Sequence, residues 1–207
     1  MRIIRAADYR RMPWKNGGGE TTEIAVSPPG AALDDFAWRI SMARVASDGP
    51  FSLFLGIDRT LLILAGSGIR LAIAGRPPVD LTAGSDPLPF PGDVAAAARL
   101  LGGPVVDLNV MTRRGRLTHE MTRLRLDEPI DLAPLTLAAD ADSALLLCHA
   151  GSVAVATSDG TARLAALDSL LVEDRPRGKW RIVPEARSLL VLIEIRMVAQ
   201  TAATAAR

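Results

Sequence analysis

Three short stretches place polar side chains where a tight loop or an antiparallel strand would turn them to one side. In Met12-Pro13-Trp14-Lys15-Asn16-Gly17-Gly18-Gly19-Glu20, an indole, an ammonium and a carboxamide stand directly before three glycines. They offer a flat apolar wall, a point charge and a paired donor and acceptor. The glycines exclude a regular helix, each costing it about 1 kcal/mol relative to alanine. In Trp38-Arg39-Ile40-Ser41-Met42, Arg39 and Ser41 alternate with large apolar residues. Along Val105 to Met111, Asp107, Asn109 and Met111 share one face, and Val106, Leu108 and Val110 the other. An arginine fork suits a carboxylate, and asparagine adds matched amide bonds. Trp14, Lys15, Asn16, Arg39, Ser41, Asp107, Asn109 and Met111 therefore form a candidate binding set for a small polar acid or amide. The plainer alternative is that they tie the loop to the barrel without any ligand, with Asp107 in an ion pair to Arg39 or Arg113.

Other chemistry finds less support. The two histidines, His119 and His149, have no H-x-H or H-x₃₋₅-H spacing, so no metal site of the usual barrel kind is expected. No G-x-S-x-G elbow and no phosphate-loop order occurs, and no catalytic residue and no cofactor are assigned. Asp107 would serve as a general base only if a neighbour raised its pKa. Cys148 is the single cysteine, set in an apolar run, and reads as a buried inert thiol. A net charge of +1 gives no electrostatic case for a nucleic-acid partner. No signal pattern opens the chain and no apolar run approaches the ~20 residues of a membrane span, so a cytoplasmic protein without a membrane partner is expected.

The elements that must position these groups read as strands. After the glycine loop, Thr21 to Val26 is a strand stopped by Ser27-Pro28-Pro29-Gly30. Phe36 to Val45, Phe51 to Leu55, Thr60 to Ala65, Ile69 to Ile73 and Val105 to Met111 follow, with Gly56 to Arg59 as a turn. Asp86 to Asp93 reads as irregular, and Ala95 to Leu101 as a helical turn. Leu61 to Leu71 and Leu145 to Val155 share one plan: an apolar strand, a Gly-Ser turn and an alternating strand. Each is followed by a closing strand, Val105 to Met111 and then Ser188 to Met197. The reading is an all-β chain of two duplicated barrels. The divisions are 1–115, holding the ligand pocket, 116–198, and an alanine-rich tail at 199–207 expected to fray.

The ordered set Met12 to Gly19, Trp38 to Ala43, Gly49-Pro50-Phe51-Ser52, Gly56-Ile57-Asp58-Arg59, Pro91-Gly92-Asp93 and Asp107 to Arg113 resembles the HutD/Ves family. The matches cover about the first 115 residues; the second half is similar mainly in plan. The resemblance implies a bicupin, two cupin-like β-barrels in one chain. It also implies a role in restraining bacterial histidine utilisation by binding an intermediate such as formylglutamate, without catalysing a step. The expected partner is thus a small-molecule carboxylate, with a homodimer as the protein contact the reading admits. The alternative function is a cofactor-independent hydrolase or isomerase using Asp107 with Lys15 or Arg39.

Overall fold

A computed structural model describes residues 1–14, 17–132, 140–157, 160–174 and 179–198. Short apolar or alternating runs separated by glycine and proline leave no room for a helical period, and the described residues form strands plus one 3-10 turn, Ala6–Asp8. Among the described residues no helix is long and apolar enough to cross a membrane. The first half contains β1 (Arg2–Ile4), β2 (Arg10–Pro13), β3 (Gly19–Ser27), β4 (Trp38–Val45), β5 (Gly49–Pro50) and β6 (Ile57–Ala65). It continues with β7 (Ile69–Ile73), β8 (Val79–Leu81), β9 (Leu88–Pro91), β10 (Ala96–Leu100) and β11 (Val105–Arg113). The second half contains β12 (Leu117–Leu126), β13 (Ile130–Leu132), β14 (Ser143–Ala150) and β15 (Val153–Thr157). It ends with β16 (Gly160–Leu164), β17 (Ser169–Val172), β18 (Trp180–Pro184) and β19 (Ser188–Met197).

The pairings of the first half recur in the second. Strand β11 lies between β4 and β6, as β19 lies between β12 and β14. Pairs β7–β10, β7–β8, β6–β9 and β10–β5 are matched by β15–β18, β15–β16, β14–β17 and β18–β13. Each half thus holds a larger sheet and a four-stranded sheet. The two larger sheets pack back to back. Ile40, Met42, Leu62, Leu64, Leu108 and Val110 from one meet Leu145, Leu147, Leu171, Val191, Ile193 and Ile195 from the other in one apolar cluster. The alternate residues of the same strands face into their own barrel, so these strands are buried on both faces. That explains the unbroken run Ala144 to Cys148, which divides its side chains between two cores.

The N-terminal segment crosses between the halves. Strand β1 pairs with β17 of the second half, although β2 joins β3 in the first. Asp168 holds the crossing: it receives Arg5 at 2.7 Å and the Ala6 and Ala165 N–H groups at 3.0 and 3.1 Å. The Tyr9 hydroxyl donates to the Leu167 carbonyl at 2.6 Å, and burial raises its pKa to about 12.

Four local expectations are corrected. Phe51 to Leu55 is not a strand; Phe51 and Phe54 turn their rings into clusters that close the first barrel. Strand β6 begins at Ile57, so Asp58 and Arg59 belong to the sheet and not to a turn. Ala96 to Leu100 is a strand between β5 and β7, where sheet pairing overrides alanine's helix preference. Leu88–Pro91 pairs with β6 as an edge strand, a position that tolerates prolines because they lack a donor N–H. The tail at 199–207 lies outside the described residues.

The two Gly-Ser hairpins occupy matching places. Gly66 (φ 93°) lies against the start of β11, and a Cβ there would stand 2.6 Å from the Pro104 carbonyl oxygen. Gly151 (φ 84°) lies against the start of β19, with the Arg187 carbonyl oxygen 2.8 Å from such a Cβ. Gly103 has a similar φ of 78° but open space around it. Gly103→Ala is expected to cost about 1–3 kcal/mol through backbone strain alone. Gly66→Ala should cost clearly more, because the clash adds to the strain. Chemical denaturation of both variants checks this, and equal losses would show that the strand start yields to the new methyl group.

Candidate functional site

The inward face of the first barrel's larger sheet carries a polar layer set by strand register. Arg39, Met111, Arg59 and Phe90 are partners across four strands. The next row is Glu23, Ser41, Asn109 and Leu61, and the one beyond it Thr21, Ala43, Asp107 and Ile63. Successive rows lie roughly 7 Å apart, two residues along each strand. Arg39, Ser41, Arg59, Asp107, Asn109 and Met111 are all at least 94% buried. Glu23 follows Thr21 onto this face by alternation, and a bulge just after it lets Ile24 and Ala25 both join the inter-sheet cluster and turns Val26 inward beside Arg39.

Within the layer the Arg39 Nε donates to Glu23 Oε2 at 2.7 Å. The Arg59 Nε donates to Asn109 Oδ1 at 2.7 Å, and Asn109 Nδ2 donates to Asp107 Oδ1 at 2.5 Å. The Arg59 guanidinium carbon stands 4.4 Å from the Phe51 ring centre and 5.4 Å from that of Phe90. Burial lowers the Arg59 pKa to about 10, against the favourable charge of Asp107 and with the opposing charge of Arg39. Burial raises Asp107 to about 7, although the Arg59 charge, Asn109 and the Ala43 N–H all act to lower it.

The layer is incompletely satisfied. Asp107 Oδ2 has no hydrogen-bond partner among the described residues. Arg39 and Arg59 bond through Nε to Glu23 and Asn109, and their terminal nitrogens are not among the buried atoms left without a partner. A buried polar group without a partner costs roughly 1–3 kcal/mol, more if charged. Two guanidinium forks and an unpartnered carboxyl oxygen converge here, a setting that suits an oxyanion.

The structure brings Arg39, Ser41, Asp107, Asn109 and Met111 together as the alternation predicts. Met111 belongs to the apolar end of the group, packed with Phe36 and Ile57. Trp14 folds back so that its Nε1 donates to Thr21 Oγ1 at 2.8 Å, in the row of Asp107, and its ring packs against the barrel's apolar core. Gly19 makes this possible, because a Cβ there would stand 3.0 Å from the indole ring. Lys15 and Asn16 fall outside the described residues. The ion pair weighed for Asp107 does not form: Arg39 pairs with Glu23, and Arg113 bonds the Leu55, Asp34 and Phe36 carbonyls.

Sequence reading missed Arg59 and Glu23. Arg59 keeps the period of Ile57, Leu61 and Ile63 and could have been found by extending that strand by one turn of the alternation. Glu23 is hidden by the bulge, which breaks the period.

Two surface cavities are notable, one of them bordering the layer. One, of about 460 Å³, is bounded by Ser27, Trp38, Asp142, Ser143, Glu173, Asp174 and Met197. The other, of about 440 Å³, reaches Arg59 and Phe90 beside His119. His119 is held between the Thr112 and Thr60 hydroxyls at 2.7 and 2.8 Å, and burial lowers its pKa to about 4, so the ring is neutral. No group of three or more His, Cys, Asp or Glu among the described residues could hold a metal ion.

The inward face of the second barrel contrasts with the first. Strand β19 carries Leu190 and Leu192 inward, and Trp180, 1% exposed, fills the space between the sheets. Farther along the same face of β19, Glu194 is buried and pairs with Arg196, so the second barrel carries its charge at the strand's end and not at its centre.

The HutD family model matches residues 6–190. An uncharacterized 21.2 kDa protein in the hutC 3' region of Pseudomonas putida is 42% identical over 111 residues, 54% of this chain and 57% of that protein. Protein Ves of Citrobacter koseri is 42% identical over 113 residues, 53% of this chain and 58% of its own. The matches to these curated relatives span little more than half of their length. Among solved structures, a conserved protein of unknown function from Pseudomonas aeruginosa PAO1 has a TM-score of 0.85 at 34% identity, over 94% of this chain and 98% of that one. HutD from Pseudomonas fluorescens SBW25, in a formate condition, has a TM-score of 0.76 at 31% identity, over 95% and 98%. The Escherichia coli pirin YhhW in complex with nickel(II), a cupin-fold protein, is 12% identical with a TM-score of 0.62 over 95% and 99%, a likeness of fold alone.

The raised pKa of Asp107 gives a signed expectation. A carboxyl with a folded-state pKa of about 7 and an ordinary value of 3.8 adds stability that is fully present below pH 3.8 and is lost as pH rises through 7. Asp107→Asn removes this titration while keeping the shape. Wild type should therefore lose stability relative to the variant between about pH 4 and about pH 7. Paired thermal melts across that window measure it; a constant difference would mean that Asp107 ionises like an exposed carboxyl.

Proposed function

Since the chain belongs to the HutD family, we propose that its first barrel binds a small carboxylate and acts as a sensor or governor, not as a catalyst. Family membership links the chain to histidine utilisation. The ligand we propose is an intermediate of that degradation such as formylglutamate, and the consequence of its binding is restraint of the pathway. The observation that carries this reading is the pair of buried arginines on one inward sheet face, bonded to the layer through Nε, beside a buried Asp107 oxygen without a partner. Arginine forks bind carboxylates by two parallel hydrogen bonds, and exclusion of water strengthens those bonds. Asn109 and Ser41 stand beside them for a neutral polar group of the same ligand, with Trp14 over the next row.

A second reading is a cofactor-independent hydrolase or isomerase. The near-neutral pKa of Asp107 favours it, since a general base works best when its pKa lies near the operating pH. Incubation with formylglutamate followed by mass analysis separates the two: turnover supports the enzyme, unchanged ligand the receptor.

Calorimetric titration of formylglutamate tests the receptor reading. Arg39→Ala should weaken binding by about tenfold to a hundredfold, the loss of a charge-assisted hydrogen bond of roughly 1.5–3 kcal/mol. That change also leaves Glu23 without its partner, so Arg39→Lys is the companion: it keeps a cation beside Glu23 and loses the planar fork. The lysine variant should melt near wild type and still bind less tightly. Wild-type affinity in both variants would show that the cluster serves the barrel and no ligand.

A further inference from the structure

We infer that anion binding in the first barrel is coupled to uptake of one proton at Asp107 Oδ2, so that the bound carboxylate meets a neutral carboxylic acid and not a second negative charge. This rests on the carboxylate-receptor reading above and specifies its chemistry. The first support is the charge inventory of the layer. Facing Asp107 are Arg59 from β6, Arg39 from β4 and Glu23 from β3, with uncharged Asn109 on its own strand. Two arginines and two carboxylates leave the layer neutral when all are ionised. An entering anion would add a negative charge that the described residues of the layer do not balance. One proton restores neutrality.

The second support is geometric. Asp107 Oδ1 already accepts from Asn109, whose own oxygen is taken by Arg59, so Oδ1 is fixed as an acceptor. Oδ2 is the buried oxygen left without a partner. As an ionised oxygen it can only accept, and a ligand carboxylate offers only acceptors; the two would repel. Once protonated, Oδ2–H can donate to the ligand. The proton comes from the solvent, the O–H bond forms on Asp107, and no electrons move. Burial already brings the group close to neutral pH, and a neighbouring carboxylate raises it further. Two carboxyl groups in one dry site sharing a proton is a general outcome of such crowding.

The coupling also sets selectivity. A protonated Asp107 favours oxyanions with a free acceptor atom at that position and disfavours cations and amides that present only N–H groups. Affinity should be level below about pH 7 and fall roughly tenfold for each pH unit above it, since one proton must be taken up per ligand.

Calorimetric titration of formylglutamate, with formate as a minimal probe, in buffers of differing ionisation enthalpy measures proton uptake directly. At about pH 8.5 uptake should approach one proton per ligand, and at about pH 6 it should be small. Asp107→Asn should abolish the uptake and leave an affinity that no longer varies across this range. Should that variant fail to fold, infrared difference spectra of wild type carry the test: adding ligand at about pH 8.5 should produce the carbonyl band of a protonated carboxylic acid. Binding without proton uptake and without that band would overturn the coupling and leave the receptor intact. No binding of either probe at any pH would overturn both.

Discussion

Two guanidinium groups held out of water govern the first barrel. Transferring a charged group from water into a protein interior costs far more than any single apolar contact returns, so each needs compensation close by. Arg39 has it in Glu23, the inward residue of β3 just before its bulge. Arg59 has two aromatic rings and the Asn109 oxygen, none of which carries a formal negative charge. Asp107 is the nearest source of one, and its own burial works against ionisation. The layer is therefore a set of mutually dependent charges with hydrogen-bonding capacity to spare. Its second-barrel counterpart is lined at the centre by Leu190, Leu192 and Trp180, with one buried carboxylate, Glu194, met by Arg196.

That contrast divides the duplicated architecture by role. Both barrels share strand order, hairpin geometry and a bulge near the start of the closing-strand pairing. In one, the inner face carries Arg39, Arg59, Asp107 and Asn109 at its centre; in the other, Leu190, Leu192 and Trp180 fill the centre and the charged pair Glu194 and Arg196 lies toward the end of β19. The apolar cluster between the two larger sheets then fixes the polar layer from behind, because residues alternating with Arg39, Asp107 and Asn109 are locked into it. Site geometry in the first barrel thus depends on side chains contributed by the second.

Much of this was legible in the sequence because the strands alternate strictly where it matters. Trp38 to Met42 and Val105 to Met111 separate into a polar and an apolar face by inspection, and those faces are the ones found. The ordered motifs pointed to the family by the same residues. What escaped notice had physical causes. Glu23 was hidden by one extra residue, which shifts the period. Arg59 was assigned to a turn because Gly56 precedes it so closely, although Ile57, Leu61 and Ile63 continue the same alternation around it. Ala96 to Leu100 offered side chains too small to declare a strand, and only its pairing with β7 defines it. The bonding of Asp107 could not be read at all, since it depends on which neighbours arrive from three different strands.

The crossing of β1 to β17 has a consequence for synthesis. A chain leaves the ribosome from its N-terminus, yet its first strand finds its partner only when residues 169–172 have appeared. At roughly 5–20 residues per second, that interval lasts on the order of ten to thirty seconds. Throughout it, the outer face of the first barrel, with Ile40, Met42, Leu108 and Val110, also lacks its covering sheet. The first barrel can close early, but the belt that ties it to the second waits for β17, and the covering sheet itself for β19, the last strand of the chain described.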